Sequence, residues 1–214
     1  LHYFSNFFLI PIIFKQHYKL YFYLIMKLKI MKFNNVKSTN DEAIKLIKSQ
    51  KNSPTLIHSN NQTNGRGTMG KKWLSKKGNV FISIFFKMNP KKYNFKEYAI
   101  LNPYIIKSVI KKFSDFSVTV KWPNDLMIKK RKVCGILQEI IEYKSNKYLI
   151  IGIGINTNHA PHNNSFKSIS LLNCSKIKIK NEAIIKNIKI TYEKFLSDID
   201  KYNLSYLKKK TCRI

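Results

Sequence analysis

Apolar positions along the chain follow two rhythms, one near 3.6 residues and one of two, broken by polar stretches. "FNNVKSTNDEAIKLIKSQ" predicts a short strand leading into a helix. Ala43, Leu46 and Ile47 give that helix an apolar face, and Thr39 followed by Glu42 makes a capping-box pattern at its start. "SPTLIHSN" and "GNVFISIFFKM" are rich in β-formers and predict strands on either side of a Gly-rich loop. Residues 95–113 predict a second helix, with Ile105, Ile106, Val109 and Ile110 as a buried stripe and Pro103 in the first turn or at a kink. "SVTVKW" alternates until Pro123, and "KVCGILQEIIEY" and "YLIIGIGINTN" predict an antiparallel hairpin joined by "KSNK". A last helix is expected over residues 180–199, with Ile184, Ile185, Ile188 and Phe195 inside. Hairpins interspersed with helices predict an α+β domain, a mixed or antiparallel β-sheet flanked by helices.

Composition changes this picture little, except in charge. A chain of 214 residues, 44% hydrophobic, is enough for one domain with one core. Lys and Arg number 40 against 11 Asp and Glu, a formal charge of +29. Such a charge attracts phosphates, but the lysines are evenly spread and accompanied by many Asn and Ile, as A/T-rich codon usage also produces. Cys134, Cys174 and Cys212 are odd in number and far apart, which argues against disulfides or a zinc site and for a reducing cytoplasm. His159 and His162 form an HxxH without a neighbouring Cys or carboxylate and read as solvated loop histidines.

"LHYFSNFFLIPIIF" and "LYFYLIM" are apolar but fall short of the roughly 18–20 residues that span a bilayer. They also lack the charge order and small-residue cleavage site of a signal peptide. Residues 1–31 are therefore expected to be an N-terminal extension outside the fold, with translation starting at Met26 or Met31. The domain is expected over residues 32–205, followed by a tail over 206–214.

Five polar or glycine-rich clusters interrupt the strands: "STN" at 38–40, "QTNGRGTMGKKW" at 62–73, "KWPND" at 121–125, "RKVCGIL" at 131–137 and "GIGINTN" at 152–158. Glycines let backbone N–H groups approach an anion. The loop at 65–73 is nevertheless neither a GxxxxGK[ST] phosphate loop nor a GxGxxG fingerprint. Taken singly, each cluster has a plain reading: a strand thinned for packing at Gly152 and Gly154, a solvated Lys121, a proline turn at "WPND". The ordered set resembles the catalytic domain of biotin protein ligases (biotin–[acetyl-CoA-carboxylase] ligases), which show STN, GRGRxGRxW, KWPND, RKxxGIL and GIGIN in this order.

That resemblance, covering residues 33 to about 200, implies a fold like the class II aminoacyl-tRNA synthetase and biotin ligase domains. It implies activation of biotin by MgATP to biotinyl-5′-AMP and transfer to a lysine of a biotin carboxyl carrier domain of acetyl-CoA carboxylase or a related carboxylase. Bringing a carboxylate to an α-phosphate needs cations and N–H donors to offset repulsion. By resemblance, Lys132, Arg66 and Asp125 carry the chemistry, with Lys132 on the biotin carboxyl and α-phosphate and Asp125 orienting or deprotonating the acceptor amine. Ser38, Thr39, Asn40, Gln62, Gly65, Arg66, Lys132 and Gly135 would bind biotin, with Gly135 leaving room for the ligand. Gly67, Lys71, Trp73, Lys121, Asn124 and Asn156 would bind ATP or the adenylate, with Asn156 near the phosphates. Trp73 and Trp122 fit either as walls for the adenylate or as core. Magnesium would arrive with ATP rather than in a protein cage.

Two departures matter. The family's second and third arginines of GRGRxGR are Thr68 and Lys71 here, which implies a weaker bidentate grip and a leakier adenylate. The SH3-like C-terminal domain of many members is not expected after "KKKTCRI", nor a winged helix before Ser38, so no sequence-specific transcriptional role is expected. The expected protein is cytoplasmic, without membrane or specific nucleic-acid partners, and a homodimer is among the assemblies the family allows. A lipoate or octanoate ligase of the same fold and a basic nucleic-acid-binding module remain as alternatives.

Overall fold

A computed structural model describes residues 27–51, 53–89, 93–162, 166–175, 179–197 and 199. The C-terminal tail, Cys212 and residues 1–26 of the N-terminal extension lie outside the described residues. Seven strands form one sheet: β1 (Lys29–Val36), β2 (Thr55–Gln62), β3 (Val80–Lys87), β4 (Val118–Lys121), β5 (Asp125–Ile128), β6 (Arg131–Tyr143) and β7 (Asn146–Ile155). Their order is β1-β2-β3-β7-β6-β5-β4. β1 and β2 are parallel and every other pair is antiparallel, so the sheet is mixed as expected. Because β1 starts at Lys29 and Leu28 is buried, the fold begins before the boundary at residue 32.

Both faces of the sheet are covered. Helix α1 (Thr39–Lys48) lays Ala43, Leu46 and Ile47 on Ile57, Phe85, Tyr148 and Ile150. Helices α2 (Phe95–Ile110) and α3 (Asn181–Ser197) cover the other face, where Ile82, Ile84, Leu149, Ile151 and Ile153 meet Leu101, Ile105, Ile184 and Ile188. β3 is consequently buried from Val80 to Phe86, a doubly covered central strand. The capping box lies elsewhere than expected. Ser38, not Thr39, is the N-cap of α1 and makes no side-chain cap bond, while Glu42 pairs with Lys45 on the surface. The box forms instead on α2, where Asn94 and Glu97 exchange bonds of 3.0 and 2.7 Å. Pro103 is past the first turn of α2, buried mid-helix.

The β5–β6 and β6–β7 connections are two-residue turns at Lys129-Lys130 and Lys144-Ser145, all four with φ between 47° and 60°. Positive φ at both positions matches the twist of the strands they join. The β6–β7 turn sets the register that aligns Gly135 with Gly154, and the pairing of β7 with β3 puts Gly154 opposite Phe81.

Candidate active site

Strand alternation puts Gly135, Leu137 and Glu139 of β6 beside Gly154, Gly152 and Ile150 of β7, all on the α1 side of the sheet. The isoleucines of "GIGI" point to the opposite core. The glycines clear space for particular side chains. A Cβ on Gly154 would lie 2.3 Å from Cε2 of Trp73, one on Gly135 2.6 Å from the same indole, and one on Gly152 2.4 Å from Asn40 Oδ1. The room above Gly135, expected to be open to a ligand, is thus taken by Trp73. A cleft lies here between the sheet, the start of α1 and the Gly-rich segment, lined among others by Ser38, Gln62, Lys132 and Asn156.

The Gly-rich segment is a small closed flap. Trp73 N donates to Gly65 O at 2.9 Å and Gly67 N to Lys71 O at 2.6 Å, with a single turn at Thr68–Gly70. Met69 at the tip has φ 55° and is 94% exposed. Gly65 is required by this closure, since a Cβ would strike Ser75 Oγ and Trp73 O at 2.6 and 2.8 Å. With the indole in place the cleft encloses about 90 Å³, against roughly 300 Å³ at the small end of ligand sites.

The end of the cleft at α1 is a connected polar network. Ser38, Thr39 and Asn40 are at most 4% exposed. Thr39 donates from N and Oγ1 to Gln62 Oε1 at 2.8 and 3.1 Å, and Gln62 Nε2 donates to Ser75 Oγ at 3.1 Å. Ser83 Oγ lies 2.8 Å from Thr39 Oγ1 and 2.5 Å from Asn40 Oδ1. Asn40 Nδ2 donates to Glu139 Oε2 at 2.6 Å. Arg66 turns toward this network. Its guanidinium donates to both Glu139 oxygens at 2.6 and 2.9 Å and pairs with Asp41 at 2.9 Å. Burial works to lower the Arg66 pKa, but Glu139 and Asp41 outweigh it and hold the group above its ordinary value.

The other end carries Lys132. Its Nζ pairs with Asp125 at 2.7 Å and lies 5.3 Å from the Trp73 ring and 5.1 Å from that of Phe166. Its backbone is clasped by the strap after β7: Lys132 N donates to Lys167 O, and Ile169 N to Lys132 O. Asn156 Nδ2 donates to Lys132 O at 3.3 Å. Asn156 Oδ1, Trp73 Nε1 and Arg66 Nε are buried near the cleft with no hydrogen-bond partner among the described residues, and buried Asp125 Oδ1 has only its ion pair with Lys132. Asn124 Nδ2 donates to Ile136 O at 3.1 Å and reaches Thr68 Oγ1 at 3.4 Å, so the flap touches the "WPND" turn at its variant position.

Most of the expected residues therefore meet around one cleft: Ser38, Thr39, Asn40, Gln62, Arg66, Gly67, Lys71, Trp73, Asn124, Lys132, Gly135 and Asn156 line it, with Asp125 on Lys132. Three do not. Gly65 closes the base of the flap outside the lining, Lys121 is exposed at the end of β4 and outside the lining, and Trp122, 60% exposed before a cis bond to Pro123, is neither wall nor core. Sequence reasoning missed Glu139, Ser83 and Phe166. Glu139 was within reach of the alternation in "GILQE", which puts it on the glycine face. His159 and His162 are exposed, and among the described residues no three His, Cys, Asp or Glu cluster as metal ligands. Cys134 and Cys174 are buried and unpaired, and burial pushes the Cys134 thiol up.

Known proteins are similar to this chain in sequence and in fold. The profile of the biotin/lipoate A/B protein ligase family matches residues 32–156, more than half of the chain. The bifunctional ligase/repressor BirA of Bacillus subtilis is 31% identical over 167 residues, covering 75% of this chain and 51% of its own length. The chain thus spans about half the length of this curated relative. In fold it is similar to a biotin protein ligase from Aquifex aeolicus in complex with biotin and ATP (TM-score 0.71, 24% identity, 86% of this chain and 76% of that one). It is also similar to the Leishmania major biotin protein ligase in complex with biotin (TM-score 0.73, 20% identity, 86% and 81%). With the matched profile spanning the STN, flap, KWPND, Lys132 and GIGIN segments, the chain belongs to the biotin/lipoate A/B protein ligase family.

Proposed function

We propose that this chain activates biotin with ATP to biotinyl-5′-AMP and passes the biotinyl group to a lysine of a biotin carboxyl carrier domain. The observation that carries the reading is one cleft in which a buried polar network faces Lys132 across a glycine floor. The ureido ring of biotin needs donors and acceptors together, and Ser38, Thr39, Asn40 and Gln62 offer both. In the first step a carboxylate oxygen attacks the α-phosphorus and pyrophosphate leaves. Lys132, already steadied by Asp125, would offset the charge between the two anions. Asn156 Oδ1 is a buried acceptor, so it suits an N–H of the nucleobase better than the phosphates first assigned to it. Magnesium would enter with the triphosphate and lend it charge neutralisation.

In the second step the carrier amine attacks the acyl carbon and AMP leaves. The amine must be unprotonated, and Asp125 is the carboxylate at hand to orient it or take its proton. A cytoplasmic setting fits both substrates, and among the described residues no helix is long and apolar enough to cross a membrane. The test is biotin-dependent exchange of pyrophosphate into ATP, followed by transfer to a carrier domain. Exchange with lipoate but not biotin would move the reading to the lipoate branch, and no exchange with either would remove it.

A further inference from the structure

Glu139 belongs to none of the motifs that mark the cleft, yet the flap and the polar network at the α1 end both hang on it. The flap's Arg66 does not reach forward into the cleft as a free cation. Both Glu139 oxygens and Asp41 hold it, a fork on a carboxylate that fixes orientation as well as charge. Two carboxylates on one guanidinium leave the cluster with a net negative charge, ill-suited to meet a ligand anion directly. The cation opposite them is Lys132, at the other end of the cleft.

Glu139 Oε2 has a second donor, Asn40 Nδ2 at 2.6 Å. That bond sets which way the Asn40 amide points and turns its Oδ1 toward Ser83, which in turn touches Thr39. A single carboxylate on β6 therefore orients the root of the flap and the first turn of α1 together. Gly152 is the reason this geometry exists, because any side chain there would displace Asn40.

We propose that Glu139 is a positioning residue that couples flap closure to the polar network at the α1 end of the cleft, with Arg66 acting as a strut rather than as a ligand to the reacting anions. The proposal rests on the ligase reading above. Glu139→Gln keeps the shape but puts an amide N–H either at the Oε1 position, against Arg66 Nη1, or at the Oε2 position, against both Asn40 and Arg66 Nη2, so at least one charge-assisted contact to Arg66 is lost. Loss of a charge-assisted contact predicts an apparent KM for biotin raised about tenfold and adenylate retention after gel filtration reduced about tenfold, with kcat at saturating biotin changed less than about threefold.

The measurements are pyrophosphate exchange and retention of labelled adenylate for the wild type, Glu139→Gln, Arg66→Gln and the double variant, with melting temperatures alongside. Support is a double variant no worse than the poorer single one, because both remove the same coupling. Additive losses, wild-type KM and retention in a folded Glu139→Gln protein, or a joint fall of kcat and melting temperature at unchanged KM each overturn it. Should Glu139→Gln fail to fold, Glu139→Asp keeps the charge one methylene short, and wild-type KM and retention there overturn it equally. A wild type without biotin-dependent exchange fails the ligase reading itself, a result separate from any of these.

Discussion

The two ends of the cleft are built on opposite terms. At the α1 end, Thr39, Asn40, Gln62 and Ser83 are bonded to one another and, through Glu139, to the flap. At the Lys132 end, buried Asn156 Oδ1 and Trp73 Nε1 have no partner among the described residues, and the indole rests on bare glycines. Buried polar atoms without partners cost free energy, and proteins keep such costs where they act. Apart from Arg66 Nε, the first end is organised by the fold, while under the proposed function the other would be completed by the ligand. Substitutions should therefore separate: those at the first end lower stability and activity together, and those at the second lower activity alone.

The largest effect is expected at Lys132. Lys132→Ala should reduce biotin-dependent exchange by roughly a hundredfold or more, the scale for losing a principal electrostatic group, with its circular dichroism and melting temperature unchanged. Near-normal exchange in the folded variant would refute the role. Ser83→Ala tests the opposite end. Removing a buried hydroxyl that serves Asn40 should cost about 1–3 kcal/mol and lower the melting temperature by several degrees, with exchange falling as well. A Ser83→Ala protein as stable as wild type would break the comparison.

A smaller change is expected at the junction of the two ends. Thr68→Arg restores a guanidinium where the flap meets Asn124, and adenylate retention should rise about tenfold if a charge-assisted grip was the missing element. Equal retention disposes of the leak expected from Thr68. The smallest effect lies outside the cleft and serves as its control. Burial and the nearby Lys32 hold the His58 pKa below its ordinary 6.5, with Glu182 opposing. The folded state thus resists protonation, so the His58 contribution is complete above pH 6.5 and fades as pH falls below it. His58→Asn should flatten that acid-side decline in melting temperature while leaving the pH profile of exchange in place.

Much of this was legible in the residues. The hairpin, the sheet class and the gathering of five motifs follow from alternation, turn residues and order along the chain. What stayed hidden depends on direction. Lys121 and Trp122 lie within a motif, but β4 ends there and the turn carries them outward. Thr39 looked like a cap because hydroxyls favour that place, whereas tertiary contact with Gln62 and Ser83 drew it inward. Arg66 looked like a free cation because its two carboxylates come from positions 41 and 139, and no local pattern pairs them. Trp73 left two readings open, and only the register of β6 against β7 shows what lies beneath its ring.

"GIGI" on β7 looks like a run of uniform small and apolar residues, but its alternation is one of volume. Every second position must have no side chain, and the positions between must carry a large one, since Ile151, Ile153 and Ile155 are at most 2% exposed in the core. A slip of one residue would drive isoleucines into Trp73 and Asn40 and leave holes opposite the helices. The same four letters that hollow the cleft therefore lock the strand in place, and any shift that spoils the site also unseats the core.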